Sequence, residues 1–399
     1  MQPLYRPTER QNHMRIPKSI KSGDTIGLVA PSFGATTEPY KTRLEAAIRK
    51  FEQRGYKVRA AESCYMDDGL GISTDPVKAA KDLVDFYLDE SIDAVISVGG
   101  GELMNETISH VDFEKLKAAP PKWYVGYSDN TNMIFPMALI ANVAGIYAPC
   151  ATGFGKNWEA TEEYTFAILE GTKNVFSGLP FFELPDDETR TLNPIAPYHL
   201  TEPRILRTFV PENVSAQTAF PAAPAETAAF PAAPAENTSA PLQVPSAASE
   251  SWFKEISGQS VSMKGLLLGG CLDILENLSG TKYAPVREFL KTQGPVIWAI
   301  EACDLSVMAI RRTLWHLRAQ GWFDTAAGFL IGRPLAAFRQ EFGGVDAYNA
   351  VTGPLAGLSV PIIMDAEIGH ISPMLPLVIG SHAEISVSGN DLTLRMNFD

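Results

Sequence analysis

Apolar and polar positions along the first half of the chain fall into two alternating rhythms. Asp24–Ala30 (DTIGLVA) is a short apolar run closed by Pro31. After it, Leu44, Ala47, Ile48 and Phe51 recur at helical spacing until Gly55, which predicts an amphipathic helix with one buried face. Asp75-Pro76 is a good cap and first-turn pair for a second helix burying Ala79, Leu83, Phe86 and Tyr87. Ala94–Val98 (AVISV) reads as a buried strand running into Gly99-Gly100-Gly101, and Trp123–Val125 as another that stops at Gly126. Strands that are apolar on both faces and alternate with helices predict a mostly parallel sheet covered by helices.

The pattern breaks between about Glu212 and Glu250. There the chain is rich in Ala, Pro, Ser and Thr, and AFPAAPAET from Ala219 recurs as AFPAAPAEN from Ala229. Two copies are too few for a solenoid, and the prolines oppose helix and central strand alike. An extended surface insertion is the reading. Beyond Trp252 the strand–helix rhythm resumes. Gly265–Leu268, Pro295–Ile300 (PVIWAI), Gly328–Ile331 and Pro361–Met364 read as strands. A helix from about Asp304 to Gly321 carries Val307, Ile310, Leu314 and Leu317 on one face. AEISVS, the turn Gly389-Asn390 and DLTLRM predict a closing hairpin. The expected organisation is an α/β unit over 15–180, an interdomain segment over 181–260 with the insertion at 212–250, and a second α/β unit over 261–399.

Composition narrows the function. With 399 residues, 45% hydrophobic and 20% charged, the chain has material for two cored domains. A net charge of -13 and a pI near 5.0 oppose general binding to nucleic acid or an anionic membrane, because phosphates would be repelled. No apolar run reaches the length of a membrane span, and the N-terminal stretch MQPLYRPTERQNHMRIPKSI has no apolar core of signal-peptide length, so a cytoplasmic protein is expected. Cys64, Cys150, Cys271 and Cys303 are scattered without metal or redox spacing, which predicts free thiols and no metal or other cofactor.

Four positions carry candidate chemistry. Gly126-Tyr127-Ser128-Asp129 lies between a strand and a helical stretch. A sharp turn there would lift the Ser128 hydroxyl out of the sheet and aim helix amides at a developing oxyanion, while Ser128 or Asp129 could equally serve as a helix cap. Gly99-Gly100-Gly101 follows a strand, lets backbone approach a ligand, and lacks the spacing of a Walker or dinucleotide loop; an oxyanion-hole contribution and a plain tight turn both fit. Glu301 directly follows an apolar strand, at the end that faces the ligand crevice in α/β sheets, and needs a partner; a capping charge before Asp304 is the alternative. His370 sits on a loop constrained by Gly369 and Pro373, whereas His316 falls inside an amphipathic helix. In the order Ser, Glu, His, these residues make a chemically sensible triad.

The segments IGLVAPS, ISVGGGELMNE, GYSDNTN, GLLLGGCLDIL, the strand ending at Glu301 and GHISPMLPLVIG together resemble the LD-carboxypeptidase family of serine peptidases. That family includes muropeptide LD-carboxypeptidases and microcin-immunity peptidases. The resemblance covers roughly 15–175 and 260–399 and implies Ser128 as nucleophile, Glu301 and His370 as its relay, and the amides of Gly100 and Asp129 as oxyanion hole. The fold implied is an N-terminal glutamine-amidotransferase-like (flavodoxin-like) parallel-sheet domain with a C-terminal swivelling β/α domain, as a homodimer. The implied activity is metal-free hydrolysis before a terminal D-residue of a cytoplasmic murein peptide. Cleavage of peptidyl- or aminoacyl-nucleotides by the same triad, and a non-catalytic ligand-binding module on the same scaffold, are the alternatives. A cationic group placed for a terminal carboxylate would favour the first activity, and an aromatic ring placed to stack on a base the second.

Overall fold

Two sheets organise the chain, and each is built where apolar runs are buried on both faces. The computed structural model describes residues 14–184, 192–212 and 252–398, so the Ala/Pro-rich repeat lies outside the described residues. The first sheet has six strands in the order Leu377–Ile379, Gly145–Tyr147, Trp123–Gly126, Ala94–Ser97, Thr25–Val29 and Lys57–Ala60. All neighbours are parallel except the first pair. Ala94–Ser97 and Trp123–Gly126 are buried at every position, as central strands of a helix-covered sheet must be.

The flanking helices follow the sequence pattern. Tyr40–Gln53 buries Leu44, Ala47 and Phe51. Pro76–Leu88 starts at Asp75, whose side chain accepts from the Lys78 amide, and buries Ala79, Ala80, Leu83 and Tyr87. Phe86 is only partly buried and packs against the core's edge.

The second sheet has nine strands, ordered Phe253–Glu255, Arg207–Pro211, Ile362–Ala366, Ala326–Gly332, Val296–Glu301, Val261–Cys271, His382–Ser388, Asp391–Asn397 and Val175–Ser177. Its four central strands are parallel and its flanks antiparallel. Helix Val307–Ala319 is capped by Ser306, and Trp298, Trp322 and Phe135 stack in the core with centroids 5.4–6.3 Å apart. Each such ring removes enough apolar surface from water to contribute about 1.5–3 kcal/mol.

The protein is thus a two-domain α/β molecule with mixed, largely parallel sheets. The sheets are not confined to the expected segments, however. Val175–Ser177 joins the second sheet and Leu377–Ile379 the first. Among the described residues, no helix is long and apolar enough to cross a membrane.

Candidate active site

The strand Trp123–Gly126 ends in a sharp turn. Tyr127 is extended, Ser128 has a left-handed φ of 61°, and a short helical turn over Ser128–Asn130 leads into Thr131–Pro136. A left-handed φ at a non-glycine residue is costly and persists only where surroundings impose it. Gly126 permits the turn, because a Cβ there would stand 2.7 Å from Asn130 Cγ. Neither Ser128 nor Asp129 caps the helix through its side chain.

Asp129 does something else with its carboxylate. It is fully buried and accepts from the Ser32 hydroxyl at 2.5 Å, the Met104 amide at 2.9 Å and Asn132 Nδ2 at 2.8 Å. Burial pushes its carboxyl above the usual range, while these three donors hold the ionised form. Its side chain therefore ties the turn to two neighbouring loops, and its backbone amide is left for the site.

Glu301 ends the strand Val296–Glu301 and is 1% exposed. It caps no helix. Its approach to the loop that carries His370 depends on Gly369: with φ of 95°, a Cβ there would fall 2.4 Å from Glu301 Oε2. His370 Nδ1 lies 2.8 Å from Glu301 Oε2, and His370 Nε2 lies 2.8 Å from Ser128 Oγ. A carboxylate only accepts, so Nδ1 carries the proton and Nε2 is left to accept from the serine hydroxyl. Burial opposes charge on His370, but the Glu301 carboxylate outweighs it and holds the imidazole well above its ordinary pKa.

Gly100 packs against the hydroxyl; a Cβ there would stand 3.2 Å from Ser128 Cβ and 3.4 Å from Oγ. Among the described residues, the amides of Gly100 and Asp129 donate to no protein acceptor. The structure thus brings together Ser128, Glu301, His370 and Gly100, with Asp129 next to the serine. His316 stands apart, between Ser279 and Gln320 on its helix.

A cleft opens beside His370 and Tyr127. Two cationic side chains line it, neither prominent in the sequence. Arg43, 9% exposed, donates through Nε to the Pro194 carbonyl at 2.6 Å. Lys156 Nζ lies 3.7 Å from Glu183 Oε1 and 4.0 Å from the Tyr198 ring centroid. Tyr40 lines the outer wall. Among the described residues, no group of three or more His, Cys, Asp and Glu side chains could hold a metal ion. Cys64, Cys150 and Cys271 are buried free thiols and Cys303 is half-buried.

This chain's residues 26–148 match the LD-carboxypeptidase N-terminal domain, and residues 264–385 the LD-carboxypeptidase C-terminal domain, together more than half its length. YocD of Bacillus subtilis is 26% identical over 381 residues, covering 93% of this chain and 96% of YocD. The microcin C7 self-immunity protein MccF of Escherichia coli is 21% identical over 393 residues, covering 97% of this chain and 98% of MccF. The wild-type apo structure of MccF superposes with a TM-score of 0.71 at 18% identity, over 96% of this chain and 99% of that one. A muramoyltetrapeptide carboxypeptidase from Oxalobacter formigenes superposes with a TM-score of 0.62 at 16% identity, over 94% and 98%. At such identities these structures establish a shared fold.

Proposed function

The chain belongs to the LD-carboxypeptidase family and is a hydrolase of that type; from this premise we propose that it removes the terminal D-amino acid from a murein peptide by serine catalysis. The observation that carries the reading is the continuous relay Ser128–His370–Glu301, with 2.8 Å at each of its two contacts. In the first half-reaction Ser128 Oγ attacks the amide carbonyl as its proton passes to His370 Nε2. Glu301 holds the Nδ1 proton and stabilises the imidazolium. The carbonyl oxygen, now anionic, takes hydrogen bonds from the amides of Gly100 and Asp129. Collapse expels the D-residue's amine, which leaves with the proton from Nε2. A water then attacks the acyl-enzyme by the same route and frees Ser128.

Arg43 and Lys156 in the cleft favour a substrate that ends in a carboxylate, as the departing D-amino acid does. The rings of Tyr40 and Tyr198 in the same cleft supply the observation for a second reading, hydrolysis of aminoacyl-nucleotides. MccF has been solved with aspartyl sulfamoyl adenosine and with glutamyl sulfamoyl guanosine. Both substrates separate the readings in one experiment. Purified protein is incubated with a disaccharide-tetrapeptide and, in parallel, with an aminoacyl-sulfamoyl adenosine. Release of D-alanine that is lost in Ser128→Ala supports the first reading; cleavage of the adenosine conjugate alone overturns it in favour of the second. The resemblance also carries a cytoplasmic homodimer, which light scattering on the purified protein and fractionation of cells test directly.

A further inference from the structure

Tyr147 ends the strand Gly145–Tyr147, and its backbone pairs with Gly126, two residues before the proposed nucleophile. The side chain is 1% exposed, yet it is not merely packed. Its hydroxyl accepts the Ser128 amide proton at 3.0 Å and donates to Glu301 Oε1 at 2.5 Å. One oxygen therefore touches the first and last members of the relay. Glu301 is held by both its oxygens: Oε1 takes the tyrosine proton and Oε2 takes the histidine proton.

We propose that Tyr147 is a positioning residue for the reaction, fixing the strained backbone of Ser128 and the orientation of Glu301 through a single hydroxyl. The inference rests on the triad reading above and adds two consequences to it. First, the Ser128 amide is already committed to Tyr147, so it does not serve the oxyanion. That task falls to the amides of Gly100 and Asp129. Second, the proton donated to Oε1 spreads the negative charge of Glu301 and so limits how strongly the carboxylate favours a charged His370. Removing the donor concentrates that charge, and the imidazole then titrates at higher pH.

The titratable groups facing Glu301 and His370 are Tyr127, Tyr147, Cys271, Cys303 and Glu102. Burial raises the pKa of all five, so across the neutral range the four thiols and phenols stay uncharged and Glu102 is the group besides Glu301 to be followed. Glu102 is the same in both proteins compared below and cancels.

The test is Tyr147→Phe, which keeps the ring and its volume and deletes only the hydroxyl. The imidazole of His370, one of six histidines, is titrated by NMR in the wild type and the variant, a readout that needs no substrate. The expected midpoint rises by about half a unit or more, the scale on which one hydrogen bond to a charged group moves a neighbour. With substrate, kcat is expected to fall about 10- to 100-fold with KM within about twofold, because the groups displaced act on the reacting atoms. Should the phenylalanine variant fail to fold, a fluorotyrosine at 147 keeps ring and hydroxyl but donates more strongly, and the midpoint is then expected to move down. An unchanged His370 midpoint overturns the proposal. Failure of the wild type to cleave a murein peptide overturns the substrate assignment instead and leaves the titration to decide on Tyr147.

Discussion

Gly369→Ala would place a methyl directly against the Glu301 carboxylate. The glycine has φ of 95°, where an L-residue is strained by about 1–3 kcal/mol. Its added methyl would also stand 2.4 Å from Glu301 Oε2 and 2.6 Å from both Cβ and Cγ, against an ordinary contact of 3.4 Å or more. Glu301 cannot retreat freely, since a Cβ on Gly332 would itself lie 2.8 Å from Glu301 Cβ, which shows how closely the backbone hems it on the other side. Relief requires the carboxylate or the His370 loop to shift by roughly 1 Å, and a displacement of that size costs on the order of 100-fold in rate. Gly389→Ala is the control. It has φ of 65° with nothing within 4 Å, so it carries the backbone strain without the collision. Release of D-amino acid is followed by a coupled oxidase assay, and stability by urea unfolding. Both variants are expected to lose about 1–3 kcal/mol, with Gly369→Ala at the upper end because the methyl also overpacks. Only Gly369→Ala should lose kcat by about 100-fold or more. If its kcat stays within about threefold of the control's, the placement of Glu301 against this glycine is not what sets the rate, and the reasoning fails.

Three further outcomes follow from the same geometry. Ser128→Ala should lower kcat by about 10⁴-fold or more, measured by D-amino acid release, while Ser128→Gly should lose activity equally and gain about 1 kcal/mol in urea unfolding by relieving the left-handed φ. Because His370 is held above its ordinary pKa, kcat/KM should fall with falling pH through that raised value, so the acid limb lies alkaline of 6.5; for stability the sign is opposite, the His370–Glu301 pair contributing fully below 6.5 and losing its contribution as pH rises through the folded value. Glu367→Gln leaves the Arg204 guanidinium, 4% exposed, without its buried carboxylate, and should cost about 3–5 kcal/mol in urea unfolding.

The legible parts of this fold share a physical cause. Ala94–Ser97, Trp123–Gly126 and Val296–Glu301 are buried throughout, so each appears as an unbroken apolar run, and helices such as Pro76–Leu88 show their cap and buried stripe directly. Three three-residue strands did not stand out, because Gly145–Tyr147, Leu377–Ile379 and Val175–Ser177 are too short for a period to emerge. Within the site, Ser128, Glu301 and His370 were visible because each is a reactive residue placed where local pattern makes it awkward: after a strand, beside a glycine, on a constrained loop. Tyr147 carried no such mark. In GIYAP it reads as one more core aromatic, and only the hydroxyl's two partners, 19 and 154 residues away, reveal its task. Arg43 and Lys156 were hidden for the opposite reason: a cation on a helix face or in a loop reads as solvated, and burial against the cleft is a tertiary fact.

The exchange of strands between the sheets explains how three distant residues hold a relay to within 2.8 Å. Ser128 follows a strand of the six-stranded sheet and Glu301 ends a strand of the nine-stranded one. His370 lies on the chain that crosses from one to the other, between Ile362–Ala366 and Leu377–Ile379. After Ile379 the chain returns at once, with the Gly380 amide on the Leu267 carbonyl and the Leu267 amide on the Ser381 carbonyl. The crossing is pinned a second time at the nucleophile's helix, where the Cys271 amide donates to Thr131 Oγ1 at 3.0 Å and a Cβ on Gly270 would meet Thr131 at 2.7 Å. A rotation of one sheet against the other would have to pull Glu301 away from the Tyr147 hydroxyl, which also holds the Ser128 amide. The packing of the two sheets and the geometry of the relay are therefore one constraint, because the hydroxyl that joins the sheets at this point also sets the spacing of Ser128 and Glu301.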